Sequence, residues 1–199
     1  AAFGTIYNEL LGAPIIGGER SVLPIGKLLR KLADYHQREG VVDEYGNPWE
    51  VFDARGRIRS HAVITLAKAL GIVGDVVESV PYPQIVDFLS TGGKVSLSLD
   101  NRFVNDITDP GLPKLAPAGH VVAAIKAVKV KDGPSIVSLA DPNMSPLQLP
   151  VMELPFSKLL DYLPEDSPTG EKLVRGMIFA KDEQDLVPFK KYQAPNVIY

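Results

Sequence analysis

The chain of 199 residues contains no cysteine. This absence excludes a disulfide framework, a zinc site built on thiolates and a cysteine nucleophile in the sequence given, and it leaves the cellular compartment undecided. No apolar stretch reaches the roughly 18 residues that a membrane-spanning helix needs, so we expect no insertion into a membrane. The first residues, "AAFGTIYNELLG", lack a charged leader and a long apolar core, so no signal peptide is expected.

The chain also has little net charge. The 21 Lys and Arg residues and 24 Asp and Glu residues give a formal net charge of -3. Binding to nucleic acid depends on clustered basic residues, so we expect no nucleic-acid partner. No repeat and no long polar linker divides the chain, and 45% of its residues are hydrophobic. The sequence therefore predicts one globular domain over residues 1–199 with a substantial core.

Helical spacing dominates the first half of the chain. Ser21 occupies the position of a helix N-cap, apolar residues then recur at helical spacing, and Gly40 provides the stop. Two further helices are predicted over residues 58–70 and 82–91. The segment between residues 41 and 57 carries turn signals and predicts an irregular loop.

Strand patterns dominate the second half. Residues 94–99 alternate, and residues 120–130 and 135–139 are apolar runs joined by the turn "KDGP", which predicts a hairpin. A short helix, "PFSKLLDYL", and a strand, "VRGMIFAKD", follow. Helices first and an antiparallel sheet after them indicate an α+β architecture, with a helical lobe over about residues 1–92 and a sheet lobe over about residues 93–199.

The predicted hairpin brings a histidine and an aspartate together. His120 starts its first strand and Asp141 follows its second, so both lie at one end of the sheet. An aspartate there accepts a hydrogen bond from one imidazole nitrogen and leaves the other nitrogen free as a base. Each residue also has a simpler interpretation by itself. His120 is then a histidine at a strand end whose hydrogen bonds are satisfied, and Asp141 starts a turn before Pro142.

A nucleophile for this base has one candidate. The N-terminus of a helix favours an anion, and Ser21 begins the longest predicted helix, so Ser21, His120 and Asp141 form a candidate catalytic set. The commonest role of a serine in that position is a helix cap, and this reading stays open.

Other polar clusters predict no metal and no cofactor. Asp100, Asn105, Asp106 and Asp109 supply oxygen ligands but lack the spacing and central glycine of a calcium loop, and they are interpreted as a polar loop at the mouth of a groove. His36 and His61 lie far apart on helices without partner ligands, which favours packing or surface roles. The lone Trp49 either lines a binding groove or fills the core.

The motifs "GGKVSLSLD", "AGHVVAAIKAV" and "SIVSLADPN" occur in this order after a helical half. In these motifs and in their order, the chain resembles the papain-like peptidases that cut bacteriocin leader peptides after a double glycine. The helix "HAVITLAKALGIVG", followed by "YPQIVDFLSTGGKVSL", also resembles that family, so the resemblance covers about residues 56–143. It implies a papain-like α+β fold, with His120 as the base of the family and Asp141 as the residue that orients it.

The chain departs from that family at the nucleophile. The family's cysteine, at the start of the first long helix, is replaced by Ser21 or a neighbour, and "APIIGGE" lacks the glutamine that helps to hold the oxyanion. The resemblance therefore implies an inactive relative that binds an extended peptide or protein segment between the lobes. The alternatives are an active peptidase or amidase that uses Ser21, or an engineered replacement of the cysteine there, and a structural or assembly domain without a cleft ligand.

Overall fold

A computed structural model describes residues 2–10, 25–43, 46–108, 119–131, 133–141, 151–163 and 172–194. The helices are α1 (Ala2–Leu10), α2 (Ile25–Glu39), α3 (Ser60–Ala69), α4 (Tyr82–Ser90) and α5 (Phe156–Leu159). The strands are β1 (Val73–Pro81), β2 (Lys94–Asp100), β3 (Gly119–Val128), β4 (Ile136–Ala140), β5 (Met152–Pro155) and β6 (Leu173–Ala180). A π-helix spans Val104–Thr108, and two 3₁₀ helices span Leu160–Tyr162 and Glu183–Tyr192.

The six described strands form one sheet in the order β1-β6-β2-β3-β4-β5, and each neighbouring pair is antiparallel. The predicted hairpin is present, because β3 and β4 pair from Ala123 with Ala140 to Val128 with Ile136. Helices combined with an antiparallel sheet confirm the α+β class. The papain-like arrangement within that class stays a prediction.

Apolar side chains form one cluster on each face of the sheet. Successive residues of a strand point to opposite faces, so β3 divides its side chains between the two clusters. Val122 and Ala124 join the cluster that contains α4, and Ala123 and Ile125 join the cluster that contains α1, α2 and α3. We call these two sides of the sheet the α4 face and the α1 face. Each face is covered by helices, which explains why the central strands have few polar residues.

The strand β1 lies within the stretch predicted as the helical lobe. It pairs with β6 and belongs to the sheet, so a boundary near residue 92 does not separate helices from strands. The pairing of β1 is interrupted between Val77 and Val80, where Ser79 adopts a φ of 57°. Such a bulge breaks the alternation of apolar and polar residues by which a strand is recognised in a sequence.

Three further elements were not predicted. These are α1, the short strand β5 and the 3₁₀ helix Glu183–Tyr192. The predicted polar loop after β2 contains the π-helix, and Phe103 and Val104 there are fully buried. No helix within the described ranges is long and apolar enough to cross a membrane.

Candidate functional site

His120 and Asp141 are in contact at one end of the sheet. The Nε2 atom of His120 lies 2.9 Å from Oδ1 of Asp141, and the two side chains are 8% and 0% exposed. The predicted contact between these residues is therefore present. The pair is shielded from solvent, so its hydrogen bond is not weakened by competition with water.

The register of the strands explains the contact. Residue 120 pairs with Leu99 of β2 near the start of β3, and Asp141 directly follows the last residue of β4. Regular pairing from Gly119 to Ala124 keeps the alternation intact, so the imidazole of His120 points to the α4 face. Asp141 follows Val137 and Leu139 at a spacing of two, and those two side chains also lie on that face.

The hydrogen bond fixes the chemistry of the imidazole. A carboxylate oxygen only accepts, so the neutral ring carries its hydrogen on Nε2. This leaves Nδ1 as the nitrogen with a free lone pair. A group that exchanges a proton with His120 must therefore approach Nδ1, while Asp141 holds the ring in place.

Aromatic residues from two segments cover His120. The ring of Phe103, just before the π-helix, is stacked at 6.5 Å from the imidazole, measured between ring centroids, and Tyr162 meets Phe103 edge-on at 5.4 Å. The Tyr162 hydroxyl donates to Oδ2 of Asp106 at 3.3 Å, and the Arg102 guanidinium donates to the Asp161 carbonyl at 3.4 Å. These contacts join the segment 102–106 to the segment 161–162 beside the His120–Asp141 pair.

Burial raises the pKa of the Tyr162 phenol above its ordinary value, and the Asp106 carboxylate raises it further. The hydroxyl therefore remains protonated at neutral pH and keeps its hydrogen bond to Asp106.

Ser21 lies outside the described residues, so the structure gives no distance between Ser21 and His120. The helix that follows it, α2, contributes Leu29 to the cluster on the α1 face. The imidazole of His120 lies on the α4 face. No described contact brings the start of α2 to His120, and the catalytic role of Ser21 stays a prediction.

Sequence reasoning missed Phe103 and Tyr162. The signal was present for Phe103, because "NRFVND" places two adjacent apolar residues within a polar stretch, which is unusual for a solvated loop. Tyr162 carried no such signal, since its role depends on a long-range approach to Phe103. Among the described residues, no group of three or more His, Cys, Asp or Glu side chains could hold a metal ion.

Two cavities are lined by described residues. One, of about 530 Å³, lies between α2 and the loop that follows it, and the other, of about 660 Å³, lies between α4 and the 3₁₀ helix Glu183–Tyr192. Neither of these two is lined by His120 or Asp141.

No model of a protein family matches the chain, and no characterised protein matches it in sequence. The resemblance to leader peptidases therefore rests on short sequence motifs and stays a prediction.

Proposed function

We propose that the chain is a papain-like domain without a working nucleophile, which binds an extended peptide beside His120 and Asp141 and does not cut it. The observation that carries the proposal is the buried hydrogen bond of 2.9 Å between these two side chains. Removing a charged or polar pair from water costs free energy, so the presence of a buried pair here supports a role besides packing.

The surroundings of the pair suit a peptide. The partly exposed ring of Tyr162 offers aromatic surface, and the exposed side chains of Arg102 and Asp106 can hydrogen-bond to a peptide backbone. The neighbouring π-helix supports the proposal because π-helical turns occur frequently at functional sites. A binding role is thus compatible with these three side chains.

The lack of a cysteine argues against cleavage. A thiolate forms at a far lower pH than an alkoxide, so a serine in place of a catalytic cysteine usually leaves the site inactive. The pair then serves as part of the wall of the binding site, and Asp141 keeps the imidazole oriented toward the peptide.

The proposal is tested with two peptides of twelve residues that carry a fluorescent label. One has two consecutive glycines in its middle, as the resemblance implies, and the other has leucines in their place. Fluorescence polarisation measures binding, and mass spectrometry after long incubation measures cleavage. We expect the diglycine peptide to bind at least tenfold more tightly than the leucine peptide and to remain intact.

The variant His120→Ala separates binding from catalysis. If the domain only binds, this variant keeps most of the affinity for the diglycine peptide. Cleavage by the wild-type chain that is lost in His120→Ala would establish an active hydrolase instead. Absence of binding by the wild-type chain, or equal binding of both peptides, would overturn the proposal.

A further inference from the structure

A cavity of about 530 Å³ lies on the α1 side of the molecule, apart from His120 and Asp141. It lies between the second half of α2 and a loop of which residues 40–42 and 48–52 line the cavity. Its walls include the apolar side chains of Ala33, Val41, Val51 and Phe52. Its volume falls within the range of about 300–1,000 Å³ that is typical of sites for small molecules.

Three aromatic rings form a cluster, and two of them line this cavity. The imidazoles of His36 and His61 pack on the indole of Trp49, with ring centroids 4.1 and 4.3 Å away. His36 and Trp49 line the cavity, and His36 is 8% exposed. Neither histidine belongs to the His120–Asp141 site, so the cluster needs an explanation of its own.

The hydrogen bond of His36 leaves one of its ring nitrogens able to accept a hydrogen bond from a ligand. Its Nδ1 atom lies 3.4 Å from the carbonyl oxygen of Trp49, which only accepts, so the neutral ring carries its hydrogen on Nδ1. Nε2 is then the nitrogen that can accept a hydrogen bond from a ligand. No other described residue forms a hydrogen bond with this imidazole.

The loop that forms one wall is held in place before any ligand arrives. Val42 pairs with Pro48 and Phe52 pairs with Ile58 as isolated bridges, and the Trp49 amide donates to the Val41 carbonyl at 2.9 Å. A wall fixed in this way does not have to be ordered on binding, which reduces the cost of association.

The charged side chains around the cavity favour a particular charge on the ligand. Apart from His36, the described residues that line the cavity include one charged side chain, Glu50, and its carboxylate is already paired with Arg59 at 2.7 Å. No lysine or arginine is among the described residues that line the cavity, so an anionic ligand would find no such cation there to pair with. A cation would compete with Arg59 for the same carboxylate. These conditions favour an uncharged ligand.

From these observations we propose that the cavity binds a free, neutral aromatic molecule of one or two rings that carries one hydrogen-bond donor. Its ring packs against Trp49 and Phe52, and its donor, a phenolic hydroxyl or an indole N–H, binds Nε2 of His36. This site is independent of the proposed peptide site, because His120 and Asp141 do not line the cavity.

Three matched probes test the proposal: p-cresol, toluene and 4-methylbenzoate. Trp49 is the single tryptophan of the chain, so its indole N–H signal in a nitrogen–proton NMR spectrum reports on this cavity alone. We expect p-cresol to shift this signal saturably. Toluene lacks the donor and should bind about threefold to tenfold more weakly, the range expected for one hydrogen bond. 4-Methylbenzoate should not bind.

Variants locate the site. Val42 is 55% exposed and lines the cavity, so Val42→Phe should reduce p-cresol binding by narrowing the cavity without disturbing the core. Ala33→Leu is a second variant with the same expectation. Thr91→Leu, which narrows the cavity beside α4, is the matched control and should bind p-cresol like the wild type. Thermal unfolding confirms that each variant is folded.

His36→Phe tests the acceptor, since it retains the ring but removes Nε2. We expect p-cresol and toluene to bind this variant equally. A p-cresol preference that persists in His36→Phe would overturn the role of His36. The absence of a saturable shift of the Trp49 signal in the wild type, or unchanged binding in both Val42→Phe and Ala33→Leu, would overturn the site.

Discussion

At the scale of single residues, the His120–Asp141 pair is the feature that sequence reasoning predicted most closely. The two residues are 21 positions apart in the chain, yet their side chains are 2.9 Å apart, because the hairpin returns to its starting edge. Their contact followed from the position of each residue at a strand end. The aromatic rings of Phe103 and Tyr162 beside the pair could not be predicted in this way, since no local sequence pattern connects the segments to which they belong.

Removal of Asp141 tests what holds His120 in place. Asp141→Ala leaves a buried imidazole N–H without its acceptor, and we expect the free energy of unfolding to fall by about 1–3 kcal/mol. Asp141→Asn is the matched control, because its side-chain oxygen can accept the same hydrogen bond and the loss should be smaller. Urea unfolding at neutral pH measures both. Equal losses in the two variants would contradict the proposed role of the hydrogen bond.

Lys94 is the second residue with an unusual environment. Its side chain is 9% exposed, and its ammonium donates to the Ile125 carbonyl at 2.7 Å. Burial lowers the pKa of this amine, the charges of Lys181 and Lys126 lower it further, and Glu9 opposes the shift. The folded protein therefore releases this proton at a lower pH than the unfolded chain does.

This shift predicts the sign of a pH dependence. Between the lowered pKa and the ordinary value near 10.5, the unfolded chain binds more protons, so the contribution of Lys94 to the free energy of unfolding rises with pH. We expect the difference in stability between wild type and Lys94→Met to grow in favour of the wild type across alkaline pH. Urea unfolding at a series of pH values measures it. Lys68→Met, at an exposed position on α3, is measured over the same pH series as the matched removal of a lysine from the surface.

At the scale of elements, β3 and β4 were predictable because each is a nearly continuous apolar run bounded by turn residues. The strand β1 was not, since its bulge at Ser79 and the acidic residues Asp75 and Glu78 break both the alternation and the apolar run. The helix α1 contains Gly4 and Thr5, which are weak helix formers, and it depends on packing against β2 and β3. The formation of β1 and α1 therefore depends on tertiary contacts, which a local sequence pattern does not show.

The pairing of β6 with β2 depends on a glycine. A Cβ atom on Gly176 would lie 2.1 Å from the backbone oxygen of Ser96, and backbone of a central strand cannot move aside cheaply. We expect Gly176→Ala to lower the free energy of unfolding by about 1–3 kcal/mol. Urea unfolding provides the measurement.

The matched control for that substitution is Gly26→Ala. Gly26 is exposed on α2, and a Cβ atom there would have no neighbour within 4 Å. Alanine favours the helix over glycine, so this variant should gain about 0.5–1 kcal/mol. A loss in Gly26→Ala, or no loss in Gly176→Ala, would contradict this description of the sheet.

At the scale of the whole molecule, the sheet separates two regions with different chemistry. The α4 face carries His120, Asp141 and their aromatic cover, and the α1 side carries the cavity beside His36 and Trp49. Composition and periodicity predicted a single α+β domain. They did not predict that helices would cover both faces of the sheet, because the face on which a helix packs depends on chain connections that local patterns do not encode.

The three histidines of the chain give the most direct test of the central claim, that His120 and Asp141 mark a peptide-binding site. Carbon–proton NMR of the imidazole rings resolves His120 from His36 and His61, which serve as internal controls. When the diglycine peptide is added, we predict a saturable shift of the His120 signals and unchanged signals of His36 and His61. Bound peptide with an unchanged His120 signal would contradict the account.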